Sequence, residues 1–391
     1  MIASSTLNTN CLQMRNIHVI AGFYILLTSL ALSACRKDPK PVEEVVTQLV
    51  ADPNSVAKGF YLVNEGNMNM NKASLDYLDF RKGIYRKNIF NEANPEVVKG
   101  LGDVGSDIAV YGSKLYVVVN VSNKVEVLDV NTGKRITQIN ITNCRYVTFH
   151  KGKVYVSAYL GEVGDPTAPN GIVAQIDTAT LREEKRIEVG RQPEEMAVVG
   201  DKIYVANSGG YSPPNYERTV SVIDVASFKV VKNIDVAINL HRLKADKYGD
   251  LYVTSRGDYY DIPSRLFVID TKTETIKKTF DIGVSNLAIA DDIAYYYSTE
   301  FSYQTGQNTI TYGMLNVKDE QLLDRRFITD GTDKKIMIPY GIAVNPFSKE
   351  VFVTDAKDYV SPGTLYCFDS TGKQKYSVTT GDIPAHFAFI Y

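Results

Sequence analysis

The chain has no tryptophan, and only four histidines and four cysteines among its 391 residues. The missing Trp excludes the Trp-Asp signature of one large class of repeat propellers. Of the histidines, His18 lies in an apolar leader and His150 in a tight turn. Only His241 and His386 remain, both at the start of strands, too few for a three-histidine zinc site. No Gly-x-Ser-x-Gly elbow and no Cys-x-x-Cys pair occurs. Glu194 and Glu195 read as a surface pair rather than a general acid and base. Neither a metal-dependent hydrolase nor any other enzyme is expected, and no cofactor or metal is called for. A basic excess is absent too: the formal net charge is -2, with no basic stripe, so nucleic acid is not an expected partner. The longest apolar run, Val19 to Ala34, falls short of the roughly 20 residues that span a bilayer.

That run is preceded by Arg15 and followed by Cys35, as in a secretory signal. Leu32-Ser33-Ala34-Cys35 resembles the lipobox of bacterial lipoproteins, which implies cleavage before Cys35 and lipid on its sulfur. The expected organisation is a signal peptide over residues 1–34, a lipidated tether over 35–55 rich in Pro, Lys and Glu, and a body over 56–391. Cys11 goes with the signal. Cys144 and Cys367 fall inside strands of different repeats and read as small buried thiols, not a disulfide.

The body is a repeat. An apolar residue, an Asp and a turn recur with the Asp at 79, 129, 177, 224, 270 and 369, and Asn316 in its place once. Seven copies at a period near 48 residues fill the body. Upstream of each copy lie two short strands around a tight turn, as in EMAVVGDKIYVANS (195–208), with Gly200-Asp201 and Gly249-Asp250 suited to the hairpin turn. One more strand follows, as in KVVKNIDVA (229–237). Four short antiparallel strands at a 40–50-residue period mark a propeller blade. PAHFAFIY (384–391) reads as a first strand with nothing after it, and GFYLVNEG (59–66) as a second strand with nothing before it. The sequence therefore predicts an all-β, seven-bladed β-propeller with four strands per blade, closed by N- and C-terminal strands that share one blade, and monomeric.

KIYVANS (202–208) with VSVIDVASFKVV (220–231) is similar to the YVTN-type β-propeller repeats of bacterial surface proteins. That fold places the loops joining second to third strands on the same rim as the starts of the first strands. Six of the seven such loops are long, including GGYSPPNYER (209–218), RGDYYDIPSR (256–265) and TEFSYQTGQN (299–308), whereas the other rim carries short turns. They bring Tyr211, Tyr216, Arg256, Tyr259, Tyr260, Phe301, Tyr303 and Tyr359 to one rim, with Tyr159 and Asn207 at loop starts. The first-strand starts add Arg145, Tyr146, Glu194, Glu195, His241, Arg242, Asn286, Tyr340 and His386. Tyr, Asn and Arg on a concave rim suit a large, flat, partly polar ligand. The expected ligand-binding set is Tyr146, Tyr159, Asn207, Tyr211, Tyr216, His241, Arg242, Arg256, Tyr259, Tyr260, Phe301, Tyr303, Tyr340, Tyr359 and His386.

Lipobox, tether and repeats together resemble the surface cobalamin-capture lipoproteins of the outer membrane. The resemblance implies a lipid-anchored, surface-exposed protein that takes a corrinoid on one rim and hands it to an outer-membrane transporter. That family's ligand residues find no one-to-one match, so none is carried over. A hydrolase or lyase with a tunnel-mouth site and a structural or adhesion protein are the alternatives.

Overall fold

The computed structural model describes residues 46–391 apart from 211, 213, 214 and 303–305, so the leader, Cys35, most of the tether, Tyr211 and Tyr303 lie outside the described residues. Seven antiparallel sheets are present, six of four strands and one of five. Their inner strands are Gly105–Tyr111, Cys144–His150, Pro193–Val199, Leu240–Ala245, Asn286–Ala290, Pro339–Val344 and Pro384–Ile390. Each touches the inner strands of both neighbouring blades, which closes the ring. This is the seven-bladed propeller that the repeat predicts. We number as blade 1 the one built from both chain ends, with blades 2 to 7 following in chain order. In blade 1, Pro384–Ile390 pairs antiparallel with Gly59–Asn64, from Gly59 opposite Ile390 to Asn64 opposite Pro384.

Six of the seven Asp/Asn positions end third strands, the seventh, Asp369, follows Phe368 directly, and all act alike. Each side-chain oxygen accepts backbone N–H groups two to four residues ahead, for example Asn131 and Thr132 at Asp129, Ala179 and Thr180 at Asp177, and Lys318 and Asp319 at Asn316. Asx bonding of this kind fixes the turn locally. The chain then passes through a left-handed residue: Gly83, Gly133, Leu181, Phe228, Glu274, Glu320 and Gly372 all have positive φ. Only three of the seven are the expected glycine.

A blade is apolar on both faces because it packs on two neighbours. In the blade 1 strand, Phe60 and Leu62 meet blade 7, while Tyr61 and Val63 meet blade 2. Seven apolar clusters result, one per interface between blades. Tyr116, Tyr155, Tyr204 and Tyr252, at matching places in second strands, are fully buried there. Cys144 and Cys367 are buried free thiols in two of these clusters.

Three local expectations change. Val46–Gln48, read as tether, pairs with Ile84–Arg86 as a fifth outer strand of blade 1. The stretch 299–308, read as a loop, is mostly strand: Ile293–Ser302 and Gln307–Asn316 pair along their length, with Glu300 opposite Thr309 and Phe301 opposite Asn308. The antiparallel pairing runs unbroken from Ile293 opposite Asn316 to Ser302 opposite Gln307, so the ladder outgrows the blade. Gly249 closes a four-residue turn in which Asp246 accepts the N–H of Tyr248 and Asp250, so Asp250 already belongs to the strand.

Candidate functional site at the loop-bearing rim

The site starts from a repeated backbone defect. In six blades the first strand slips by one residue against the second, so that an extra residue bulges out. Only Asn286–Ala290 keeps a regular register. A bulge frees a residue from the ladder and re-aims side chains. Just upstream, five blades carry a left-handed residue that is not glycine: Val104, Asn143, Gln192, Asn239 and Ile383. For β-branched Val104 and Ile383 this conformation is strained.

The register aligns seven positions just before a pairing apolar residue: Asp107, Tyr146, Glu195, Arg242, Asn286, Gly341 and His386. Six of these are polar. One residue earlier stand Ser106, Arg145, Glu194, His241, Ser285, Tyr340 and Ala385. Two polar tiers thus ring the mouth of the tunnel. The bulges are held by second-strand hydroxyls. Ser157, Thr254 and Thr354 accept the N–H of Tyr146, Arg242 and Gly341. Ser157 and Thr354 also donate to Glu194 C=O and Pro384 C=O of the next blade, at 2.9 and 2.6 Å.

Side chains from different blades meet across the mouth. The Tyr146 hydroxyl of blade 3 lies 3.0 Å from His241 Nε2 of blade 5 and accepts from Arg242 Nη1 at 3.2 Å. The Tyr146 ring meets His386 of blade 1 edge-on at 6.0 Å. Arg145 Nη2 donates to Glu194 Oε2 at 3.1 Å, Tyr159 donates to Glu194 Oε1 at 2.7 Å, and Arg256 stands 3.6 Å from the same carboxylate. Tyr340 donates to Glu65 Oε2 at 2.8 Å. Glu194 and Glu195 are 2% and 8% exposed, which corrects their reading as a surface pair. Their partners, Arg145, Arg256 and Lys244, lie on other blades.

Burial dominates the electrostatics. It pushes Glu65 up despite the Tyr340 hydrogen bond. For Glu194 burial acts the same way, but Arg145 and Arg256 outweigh it and hold the carboxyl below its usual range. His241 and His386 are pushed well down, by burial first and then by the arginines around them, so both are neutral at pH 7. Asp107 is pushed up to about 7, chiefly by burial. No group of three or more His, Cys, Asp or Glu suited to a metal ion occurs among the described residues.

The expected residues therefore separate by depth. Tyr146, Tyr159, His241, Arg242, Arg256, Tyr340 and His386 form the polar floor. Tyr259, Tyr260, Phe301 and Tyr359 lie at the loop-bearing end of their blades, 37%, 73%, 52% and 42% exposed, with Tyr359 edge-on to Tyr340 at 6.0 Å. Tyr216 is half-buried in its loop. Asn207 is fully buried within its own blade, donating to Thr219 and Ser221, away from the floor. Glu65, Asp107, Glu194 and Glu195 were not in the expected ligand set. The Ser or Thr recurring at 157, 254 and 354 was the one sequence trace of the bulges beside them.

Residues 58–389 match the family described as Domain of unknown function (DUF5074), and the chain belongs to that family. No curated protein matches it in sequence. Among solved structures it is similar to a quinonprotein alcohol dehydrogenase-like protein from Bacteroides thetaiotaomicron, with 16% identity and a TM-score of 0.57 over 85% of this chain and 78% of that one. A functionally unknown protein from Desulfotomaculum acetoxidans gives 10% identity and 0.56 over 86% and 99%. Hydrazine synthase from Kuenenia stuttgartiensis gives 16% and 0.53 over 68% and 76%. At these identities the likeness is one of fold.

Proposed function

We propose that this chain is a ligand-capture lipoprotein of the outer membrane, anchored through Cys35, which takes cobalamin or another corrinoid on the loop-bearing rim and passes it to a transporter. The observation that carries the reading is the make-up of that rim. Exposed Tyr259, Tyr260, Phe301 and Tyr359 lie at the loop-bearing end of the blades, where the floor holds Arg145, Arg242 and Arg256 among the carboxylates of Glu65, Asp107, Glu194 and Glu195. Aromatic faces suit a broad flat ring, and hydroxyls and guanidinium groups suit amide arms and a phosphodiester. The cross-blade contacts of Tyr146 close the floor, so a large ligand rests on the rim. In this reading the chain turns over no ester or lactone. Its carboxylates are tied to arginine, lysine, tyrosine or backbone N–H.

Calorimetry of the full chain in detergent against cobalamin, cobinamide and a glycan panel tests the proposal. Corrinoid binding is expected, weaker for cobinamide, which lacks the phosphodiester loop. Binding of glycans alone, or of nothing in the panel, overturns it. Cys35→Ala is expected to release the protein from the membrane fraction, and a variant that stays there refutes the anchor.

A further inference from the structure

Two of the long rim loops, 160–171 in blade 3 and 209–218 in blade 4, are fastened to one short segment, residues 191–194, which leads from the last strand of blade 3 into the first strand of blade 4. Arg191 is 8% exposed, and its guanidinium reaches both loops. Nη1 donates to Pro166 C=O at 2.8 Å, Nη2 donates to Asn215 C=O, and Nε stands 3.6 Å from the Glu217 carboxylate. Gln192 also meets both. Its Nε2 donates to Glu162 C=O of the first loop at 2.9 Å. Its Oε1 lies against Gly210 of the second, so close that a Cβ on Gly210 would stand 1.6 Å from it.

The same segment roots both loops in the floor. Tyr159, just before the first loop, donates to Glu194 Oε1 at 2.7 Å, and Ser208, just before the second, holds its Oγ 3.5 Å from the same oxygen. Ser208 donates its N–H and its hydroxyl to Gln192 C=O at 3.2 and 2.9 Å, and the Gly209 N–H donates to Arg191 C=O at 3.0 Å. Gln192 is left-handed, with φ 52°. Outside glycine that conformation is uncommon and gathers at functional sites. A guanidinium is a rigid planar fork, so one that bonds carbonyls of two loops fixes their separation as well as their attachment.

We propose that loops 160–171 and 209–218 form a single preformed wall of the rim site, with Arg191 as the residue that positions it. Two loops held through one buried side chain open together, whereas a loop closed on itself opens alone. The loop 256–265 is closed on itself: Asp258 Oδ1 accepts the N–H of Tyr260 and Ile262, at 2.9 and 2.8 Å. A wall already in place spares the ligand the cost of ordering it. Arg191 touches no ligand; it sets the width between the two loops. The use of the wall by a corrinoid rests on the rim reading, and the coupling of the loops does not.

Amide hydrogen exchange of the full chain in detergent, read peptide by peptide, tests the wall. Arg191→Met is expected to speed exchange in both loops about tenfold or more and to leave 256–265 unchanged, with Arg191→Lys in between. Acceleration in one loop only, in neither, or equally in 256–265 overturns the wall. Gly210→Ala lies in the second loop and pushes Gln192 off Glu162, so faster exchange is expected in the first loop, 160–171, which strain at position 210 alone does not reach. Unchanged exchange in 160–171 overturns the wall as well, and this variant decides alone should Arg191→Met fail to fold. Calorimetry against cobalamin separates the two readings. Arg191→Met is expected to weaken binding roughly tenfold, because the ligand must then order the loops. Coupled exchange in a native protein that binds no corrinoid sinks the rim reading and keeps the wall. Unchanged affinity despite faster exchange overturns the place of the wall in the site.

Discussion

The two ends of the inner strands are built to different rules. At the hairpin end the first and second strands of a blade run in register into short turns, and the contacts are exposed, as where His150 and Lys151 meet Asp201. At the loop end the same strands slip by a residue, begin from left-handed residues and bury charges against charges of other blades. The repeat is thus uniform where it only turns the chain and individual where the blades converge. The difference lies in the ladder: left-handed residues such as Leu181 and Phe228 occur at the hairpin end too, but the slips in register between first and second strands gather at the loop end, beside the charges buried around the tunnel mouth.

Experiments that break the comparison begin with closure, which both ends need. Deleting residues 384–391 removes the inner strand of blade 1 and opens the apolar faces around Phe60 and Ala343. Loss of the cooperative melt and gain of hydrophobic-dye binding are expected, and a truncation that melts like the full chain contradicts closure. Next is the uniform part. Tyr252 is fully buried and donates to Val317 C=O at 3.1 Å. Tyr252→Ala is expected to cost about 4 kcal/mol in denaturant unfolding, without changing ligand affinity in whatever protein remains folded.

Glu194→Gln strikes the individual part, leaving Arg145 and Arg256 without their shared anion. A loss of about 3 kcal/mol is expected, and a change under 1 kcal/mol would show that the floor is not an electrostatic unit. Asp107→Asn is expected to have the opposite sign. Its folded-state carboxyl is pushed up to about 7, so the native state holds its proton across a range where the unfolded chain has released it. The stability this group contributes is present below about pH 4 and lost as pH rises through 7. The variant should match the native protein at pH 4 and exceed it at pH 8 by on the order of 4 kcal/mol. Equal stabilities at both pH values reject the shift. The smallest effect is expected at the crown: Tyr260→Ala, at a 73% exposed residue, should change stability by under about 0.5 kcal/mol while weakening corrinoid binding roughly tenfold.

What the sequence made legible is what local chemistry fixes. An Asp that bonds the next few N–H groups turns the chain wherever it stands, so seven copies revealed seven blades. Strands apolar on both faces, with Tyr in a fixed place, required neighbours on both sides. An unpaired FAFIY at the C-terminus required a partner strand near the N-terminus. The polar tiers were only half legible, because a one-residue slip leaves the composition of a strand unchanged. Glu194 and Glu195 read as surface residues since nothing near them in sequence pairs with them; Arg145, Lys244 and Arg256 reach them only once the ring is formed. Val46–Gln48 is too short to announce a strand, and 299–308 carries turn residues that hid a continued ladder.

Building blade 1 from both chain ends also sets an order of events. A chain delivered N-terminus first presents Gly59–Asn64 well before Pro384–Ile390, its partner across the ring closure. Over that interval Phe60 and Leu62 lack the inner strand and the blade 7 face that bury them. The first strands of the body to emerge are therefore the last to be completed. A holding factor that shields an open sheet edge has its natural substrate in this protein before its last eight residues arrive.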